Sequence, residues 1–464
     1  MREPNTQDVL DRIDREKDRY LDELVSYLEI PSISTDPEYE EEVQRCSRFL
    51  AERMEEAGLS VRRIETEGHP LVYGEWMEAG EGAPTVLFYG HYDVQPTDPR
   101  EEWRHPPFEP TREENDLVAR GATDDKGQSY THLKAVEAML AERGRLPANV
   151  RFLVEGEEES GGESIDSYVR ERGETELSCD CVVISDSSMW APGQPSLIYG
   201  LRGMAYMEIR VQGPDRDLHS GTYGGAVVNP LNALCEVVSR LKDPASGRVL
   251  VPGFYDDVRD PEAWEREEIA ELPFDEETYR QDLEVPALGG EKGFSTLERI
   301  GVRPTCDVNG LFGGYMGRGA KTVLPAWGGA KVSMRLVPDQ DPETIAEAFS
   351  EYVRTVAPPG VTVEARMLHG GPPVLVDAEG PYMEAAAEAL QQTWGREPVR
   401  VREGGSIPVV ATFSEVLEVP VLLMGFGLPD DRLHSPNEKI DIGQFYSGIR
   451  CTARFLDRLD ENGG

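Results

Sequence analysis

Polar side chains that can bind metals follow each of four short apolar runs in the sequence. The runs cover residues 86–89, 150–154, 181–184 and 419–424, and their composition is typical of buried strands. His91 and Asp93 follow the first run, three glutamates at 157–159 the second, Asp186 the third, and His434 lies ten residues past the fourth. Open α/β sheets bind ligands outside the carboxyl ends of their strands. We therefore expect these segments to converge on one crevice.

A fifth segment, R-G-A-T-D-D-K-G at 120–127, precedes a predicted helix near Gln128, and its Asp124 would project into the same crevice. Two histidines with several carboxylates, and no thiolates, suit Zn²⁺, Mn²⁺ or Co²⁺ rather than Ca²⁺. One shared carboxylate, with one histidine and one carboxylate on each side, would hold two ions ~3.5–4 Å apart. This arrangement leaves one glutamate over.

Each of these motifs has an ordinary structural interpretation when it is taken alone. A triple glutamate is usually a solvated face, an H-x-D triplet is more often a surface or core histidine than a ligand, and Asp124-Asp125-Lys126 could form a turn and a helix cap. All five segments, however, stand at a predicted strand end or helix start, and most have a glycine beside them. This joint placement favours a metal site.

Helical patterns lie between or after the apolar runs, at 130–143, 382–394 and 445–459, and an amphipathic helix begins near Asp8 and ends before Pro31. Alternating strands and helices predict an α/β sheet covered on both faces. The middle of the chain differs, because 205–211, 331–337 and 361–367 alternate apolar with polar residues, as half-exposed antiparallel strands do.

The helical stretches 229–241 and 342–356 separate these middle strands, which indicates a small α/β sandwich with one open sheet face. We interpret the charged segment 252–303 as an elaboration of this sandwich. The predicted organisation is a first part of a catalytic domain at 1–200, an inserted domain at 201–373, and a second part of the catalytic domain at 374–464.

The composition limits the partners and the compartment. The chain has 464 residues with 87 acidic and 47 basic side chains, hence a formal charge of −40, and only eight of the basic residues are lysines. Such a charge repels nucleic acids and anionic membranes, and it favours a salt-rich cytoplasm in which the repulsion is screened. The alternative is a merely acidic protein. The absence of a long apolar run and of a signal peptide, with six scattered cysteines, predicts a cytoplasmic location without a disulfide framework.

The order of motifs H-Y-D-V-Q-P, G-A-T-D-D-K-G, E-G-E-E-E-S-G, S-D-S, D-L-H-S-G-T-Y-G-G, A-K-T-V-L-P, R-L-V-P, G-G-S-I-P and L-H-S-P-N-E resembles the di-zinc metallopeptidase family of cytosolic non-specific dipeptidases and carnosinases. The resemblance runs from about Leu24 to Leu459. It implies a mixed sheet like that of the zinc aminopeptidases, with helices on both faces, interrupted by a lid domain that also dimerises.

The resemblance also implies a ligand set for two divalent metal ions. His91 and Asp186 would hold one ion, Glu159 and His434 the other, and Asp124 would bridge them. Zinc is the expected metal, with manganese and cobalt as alternatives.

Further roles are implied for residues beside the ligands. Asp93 would fix the tautomer of the His91 imidazole, and Glu158 would be the general base. If the glutamate pair were Glu157 and Glu158 instead, both glutamate roles would shift by one residue; the family pair stands directly before Ser-Gly, which favours Glu158 and Glu159.

In the insert, His219 resembles the histidine that reaches the partner subunit's active site and binds the oxyanion, which implies a homodimer. Arg335 resembles the arginine that binds the terminal carboxylate of the substrate, and Thr322, His369 and Ser406 match other positions of the substrate pocket. His219 and His369 could also be ordinary exposed lid histidines. The remaining histidines, His69, His105 and His132, match no motif and are interpreted as structural.

The sequence thus predicts a binuclear hydrolase that cleaves dipeptides or short peptide-like amides with a metal-bound hydroxide and a glutamate base. An aspartate at 186 resembles dipeptidases and aminopeptidases, whereas a glutamate there is usual in acyl-amino-acid deacylases. The alternatives are an N-acyl-amino-acid deacylase with the same metal centre, a hydrolase of carbamoyl or other non-peptide amides, and a catalytically inactive peptide-binding or scaffold protein.

Overall fold

The computed structural model describes residues 5–376, 379–405 and 407–462. Its helices are α1 (Thr6–Leu28), α2 (Glu40–Glu56), α3 (Lys126–Arg143), α4 (Glu163–Glu176), α5 (Ser220–Tyr223), α6 (Pro230–Ser239), α7 (Ala263–Glu271), α8 (Glu276–Asp282), α9 (Thr296–Gly301), α10 (Pro342–Val356), α11 (Pro381–Trp394), α12 (Pro408–Leu417) and α13 (Ile442–Asn462). No helix within these described ranges combines the length and the apolar character that a membrane crossing requires.

The strands fall into sheets of different size. They are β1 (Ser60–Ile64), β2 (Leu71–Trp76), β3 (Thr85–His91), β4 (Thr111–Glu113), β5 (Asp116–Val118), β6 (Asn149–Glu155), β7 (Cys181–Ile184), β8 (Ser196–Leu201), β9 (Gly203–Gln212), β10 (Leu218–His219), β11 (Thr305–Gly313), β12 (Val323–Leu324), β13 (Trp327–Leu336), β14 (Thr362–Gly371), β15 (Val374–Leu375), β16 (Val399–Glu403), β17 (Val421–Leu423) and β18 (Lys439–Asp441).

The chain forms two compact units. The first contains residues 1–199, 376–400 and 412–464, and the second contains residues 200–375 and 401–411. The predicted insert at 201–373 thus falls within the second unit, which also includes the short segment 401–411.

The first unit is built on a mixed sheet with the strand order β1-β2-β6-β3-β7-β17-β8. The four predicted buried runs form β6, β3, β7 and β17, which pair in parallel with one another. Alternate side chains of these strands point to opposite faces of the sheet. On one face, Phe88 and Phe152 join a core with α1, α3, α11 and α13. On the other face Tyr89 packs edge-on against Phe413 of α12, with 5.6 Å between ring centroids. Helices therefore cover both faces, and the predicted fold class is confirmed.

The second unit contains a four-stranded antiparallel sheet with the order β11-β13-β9-β14. One face carries apolar side chains such as Met207, Ile209 and Met334, which pack under α6 and α10. Successive side chains along a strand point to opposite faces of the sheet, so the other face carries polar side chains, among them Arg335 and His369. This is the predicted sandwich with one open sheet face.

Candidate metal centre

The predicted metal ligands lie at the carboxyl ends of the parallel strands of the first unit. His91 ends β3, Asp186 lies two residues beyond β7, and Glu158 and Glu159 begin a short 3-10 turn (Glu158–Ser160) after β6. Asp124 precedes the first turn of α3, and His434 lies in the loop before β18. Neighbouring parallel strands end at the same edge of a sheet, so residues more than 300 positions apart in sequence come together.

Two groups of side chains have ligand atoms close enough to hold an ion each. They are His91, Asp124 and Asp186, and Asp124, Glu159 and His434. Asp124 belongs to both groups: its Oδ1 is 3.0 Å from His91 Nε2 and its Oδ2 is 3.0 Å from His434 Nε2. No third group of this kind occurs in the part of the chain that the structure describes.

The remaining ligand distances define the two halves of the cluster. Asp186 Oδ2 is 4.0 Å from His91 Nε2, and Glu159 Oε2 is 3.4 Å from His434 Nε2. His91 is fully buried, whereas the side chain of His434 is 57% exposed. The half that contains His434 is therefore the more accessible to solvent.

The imidazole of His91 is oriented as a metal ligand. Its Nδ1 is 3.1 Å from the main-chain carbonyl oxygen of Asp93, which can only accept a hydrogen bond, so Nδ1 carries a proton. In the neutral ring Nε2 then presents a lone pair to the Asp124 carboxylate at 3.0 Å. Two acceptors at this separation need a cation or a proton between them, and this arrangement fits a metal ion.

Asp93 connects two ligand-bearing segments. Its Oδ2 accepts hydrogen bonds from Ser34 Oγ at 2.6 Å and from the backbone N–H of Glu159 at 3.1 Å. Its Oδ1 lies 3.3 Å from His91 Nδ1, but the Nδ1 hydrogen bond goes to the main-chain carbonyl of Asp93. The Asp93 segment thus orients the imidazole through its backbone, and its carboxylate fixes the turn that carries Glu159.

The three consecutive glutamates point to different partners. Glu157 Oε1 accepts the backbone N–H of His69 at 3.1 Å, whereas Glu159 Oε2 accepts Gln95 Nε2 at 2.7 Å and faces His434. This geometry favours the register in which Glu158 and Glu159, rather than Glu157 and Glu158, face the cluster.

The carboxylates of the cluster carry more negative charge than its two histidines can balance. Burial and the nearby Asp124 raise the pKa of Glu159 to about 9 and that of Asp186 to about 6. Burial and the surrounding carboxylates also raise the pKa of Glu158 well above its usual value. Burial opposes ionisation of Asp124 as well, but the adjacent imidazoles of His434 and His91 outweigh it and lower its pKa. Divalent cations would supply the missing positive charge.

The other predicted site residues belong to the second unit. His219 and Thr322 are exposed and lie at the paired strands β10 and β12, where Ser220 N–H donates to the Thr322 carbonyl at 3.1 Å. Arg335 and His369 lie on the open face of the four-stranded sheet, and His369 stacks on Tyr206 with 4.9 Å between ring centroids. Burial and the positive charge of Arg335 lower the pKa of His369. Ser406 lies outside the described residues.

Several residues that hold the ligands in place were not predicted from the sequence. Gln95, four positions after His91, binds Glu159, and Glu438, four positions after His434, binds the backbone of the Asp124 loop. Both belong to motifs that carry the family resemblance, H-Y-D-V-Q-P and L-H-S-P-N-E. Their position close to a predicted ligand could have indicated this role. Of the three unassigned histidines, His105 pairs with Glu113 and His132 is buried.

Comparison with known proteins agrees with this fold and site. Residues 87–458 match the model of peptidase family M20/M25/M40. The Cys-Gly metallodipeptidase dug1 of Schizosaccharomyces pombe is 32% identical over 96% of this chain and 97% of its own. Among solved structures, human carnosine dipeptidase 1 superposes with a TM-score of 0.87 at 29% identity over 99% of this chain and 100% of its own. The M20 family metallo-carboxypeptidase Sso-CP2 from Sulfolobus solfataricus superposes with a TM-score of 0.86 at 32% identity over 95% and 99%.

The fold and the paired ligand groups define a metal-dependent hydrolase. The chain belongs to peptidase family M20/M25/M40 and is a metallopeptidase, so the resemblance found in the sequence is confirmed.

Proposed function

We propose that this protein is a binuclear dipeptidase whose two ions are held by His91, Asp124 and Asp186 on one side and by Asp124, Glu159 and His434 on the other. The observation that supports this proposal is the sharing of Asp124, one carboxylate oxygen facing each histidine at 3.0 Å. The nitrogen and oxygen donors suit zinc, with manganese or cobalt as alternatives. When bound, the ions would activate a water molecule and polarise the scissile carbonyl.

Glu158 is proposed to move the proton. It is held beside the cluster by the turn after β6, between Glu157, which His69 binds, and the ligand Glu159. Its carboxylate would take a proton from the attacking water and deliver it to the leaving amine. A carboxylate whose pKa is raised by desolvation and by neighbouring carboxylates is suited to hold a proton between these two steps.

His219 is proposed to bind the oxyanion in the partner subunit of a homodimer. Its Nδ1 accepts the backbone N–H of Gly221 at 3.0 Å, so the neutral ring carries its proton on Nε2. The free edge of this exposed imidazole is therefore a hydrogen-bond donor, as an oxyanion requires.

Arg335 is proposed to bind the α-carboxylate of the substrate with its planar fork. His369, Thr322 and Ser406 are proposed to line the same substrate pocket. Asp186, rather than a glutamate, favours substrates with a free α-amino group. A cytoplasmic location is part of the same proposal.

The proposal is tested with protein that is stripped of metal by a chelator and reloaded with Zn²⁺, Mn²⁺ or Co²⁺. We expect hydrolysis of free dipeptides that depends on the added metal, and little hydrolysis of the same dipeptides after N-acetylation. Tripeptides and longer peptides belong in the panel because Sso-CP2 is named a carboxypeptidase. A preference for N-acetyl amino acids would support the deacylase alternative, and a protein that retains no metal would support the scaffold alternative.

A further inference from the structure

Glu438 is a fully buried carboxylate close to the metal centre that is neither a proposed ligand nor the proposed base. It lies four residues after His434, directly before β18. Its nearest positive charge is Arg120, whose Nη1 donates to Glu438 Oε2 at 2.7 Å, and both side chains are 1% exposed. A buried ion pair of this kind is weak evidence for stability by itself, so its other contacts decide what it does.

The Glu438 carboxylate accepts three further hydrogen bonds, all from the backbone of the loop that carries Asp124. Oε2 accepts from Gly121 N–H at 3.0 Å, and Oε1 accepts from Thr123 N–H and Asp124 N–H, each at 3.1 Å. Both oxygens therefore have two donors. One of these donors belongs to the residue that both metal groups share.

The same short segment also positions His434. Asn437 accepts the backbone N–H of Arg104 at 2.7 Å and donates to the Glu102 carbonyl at 2.9 Å. Ala119 N–H donates to the main-chain carbonyl of Glu438 at 3.0 Å. His434 itself has a positive φ of 57°, which a residue without a glycine's freedom adopts only when its surroundings hold it there.

We propose that Glu438 is a positioning residue that fixes Asp124 and His434 relative to each other and thereby sets the spacing of the two metal sites. This inference rests on the proposed binuclear function. Because Asp124 and His434 come from loops more than 300 residues apart in sequence, their relative position depends on cross-links such as this one. Contacts of this type beside metal ligands are typically worth 10–100-fold in metal affinity.

The test uses Glu438→Gln, which keeps the size of the side chain but replaces an oxygen that accepts two hydrogen bonds by an NH₂ group that cannot accept any. Co²⁺ is the probe, because its absorption spectrum reports the ligand geometry of each bound ion. We expect two equivalents of Co²⁺ in the wild type, and in the variant a 10–100-fold weaker affinity, measured by chelator competition, with an altered absorption band at saturating Co²⁺.

The matched control is Asp457→Asn, which removes one partner of the Arg143–Asp457 ion pair, a bidentate contact between α3 and α13 in the same unit. This control should lose stability but keep the wild-type affinity and spectrum. If Glu438→Gln does not fold, Glu438→Asp keeps the charge opposite Arg120 but is too short to reach all four donors, and it is expected to show the same losses.

A folded variant with wild-type Co²⁺ affinity and spectrum would overturn the positioning role and leave the dipeptidase proposal intact. Equal changes in Asp457→Asn would also overturn it, since the effect would then follow from general destabilisation. A wild-type protein that binds no Co²⁺ would instead refute the binuclear centre itself.

Discussion

Glu157, Glu158 and Glu159 have the same chemistry and adjacent positions, but three different environments. Glu157 is held by the backbone of the β1–β2 connection, Glu159 faces His434, and the partly buried Glu158 lies beside the cluster. The sequence alone leaves the register of such a run open, because it does not show to which side of the turn each side chain points. The long-range contacts of His69 and Gln95 supply that information.

The replacement Glu158→Gln separates proton transfer from metal binding. The amide has nearly the same size but cannot accept the proton, so we expect a ~10²–10⁴-fold loss of kcat with two metal ions retained. Metal content by elemental analysis and kcat on a free dipeptide are measured on the same sample. His91→Ala and Asp124→Ala serve as controls that should lose metal and activity together. A kcat near that of the wild type would remove Glu158 from the role of base.

The elements that carry the ligands were largely predictable. The apolar runs at 86–89, 150–154 and 181–184 became β3, β6 and β7, since a fully buried parallel strand must be apolar throughout. The run at 419–424 gave the shorter β17 (Val421–Leu423), which begins after Pro420. Several strands were not predicted. Among them, β1 and β11 lie at the edges of their sheets, and their mixed, partly exposed side chains leave no periodic signal.

Helix α3 joins the sheet to α13 through a buried histidine. His132 contacts Ser185 Oγ through Nε2 and Thr452 Oγ1 through Nδ1, each at 2.9 Å. Burial lowers the pKa of His132 to about 3, from a usual value of 6.5. The ring is therefore neutral in the folded protein, whereas the unfolded chain takes up a proton below pH 6.5. The stability that His132 confers is complete above pH 6.5 and is lost as the pH falls towards 3.

We expect His132→Gln to flatten this pH dependence. Between pH 6.5 and 4 the free energy of unfolding of the wild type should fall more steeply than that of the variant, by about 1.4 kcal/mol per pH unit, as measured by urea unfolding of metal-free protein. Thr452→Val is the control, because it removes a hydrogen-bond partner of the ring but no titrating group. It should lower stability at every pH and keep the wild-type slope. Equal slopes in the wild type and His132→Gln would contradict the prediction.

On the scale of the whole molecule, the proposed dimer makes each active site depend on two chains. If His219 acts in the partner subunit, a heterodimer of a His219→Ala chain and a Glu158→Gln chain contains one intact site. Mixing the two inactive variants, followed by verified subunit exchange, should then restore part of the wild-type dipeptide hydrolysis. Absence of rescue would confine His219 to its own chain. The sequence suggested this role only through its resemblance to a family. The residues around an exposed histidine form no pattern that tells a functional histidine from one that merely faces solvent.

With a net charge of −40, the protein is expected to depend on salt for its stability. Exposed ion pairs contribute ~0–1 kcal/mol each and weaken when salt is added, whereas the 87 acidic side chains exceed the 47 basic ones and repel one another across the surface. At 0.01 M salt the Debye length is ~30 Å and many like charges interact, but at 1 M it is ~3 Å and only near neighbours do. The repulsion favours the unfolded state over the folded one, and separate subunits over the proposed dimer.

We therefore expect the melting temperature and the dimer fraction to rise with NaCl or KCl well beyond physiological strength. Sucrose at matched osmolality is the control, because it stabilises by exclusion from the surface without screening charge. If salt raises the melting temperature more than sucrose does, the difference is due to charge screening. If the melting temperature is flat or falls between low and molar salt, the acidic surface is not an adaptation to a salt-rich cytoplasm. That result would leave the metal centre unaffected, because the ligands are held by buried contacts that salt screens little.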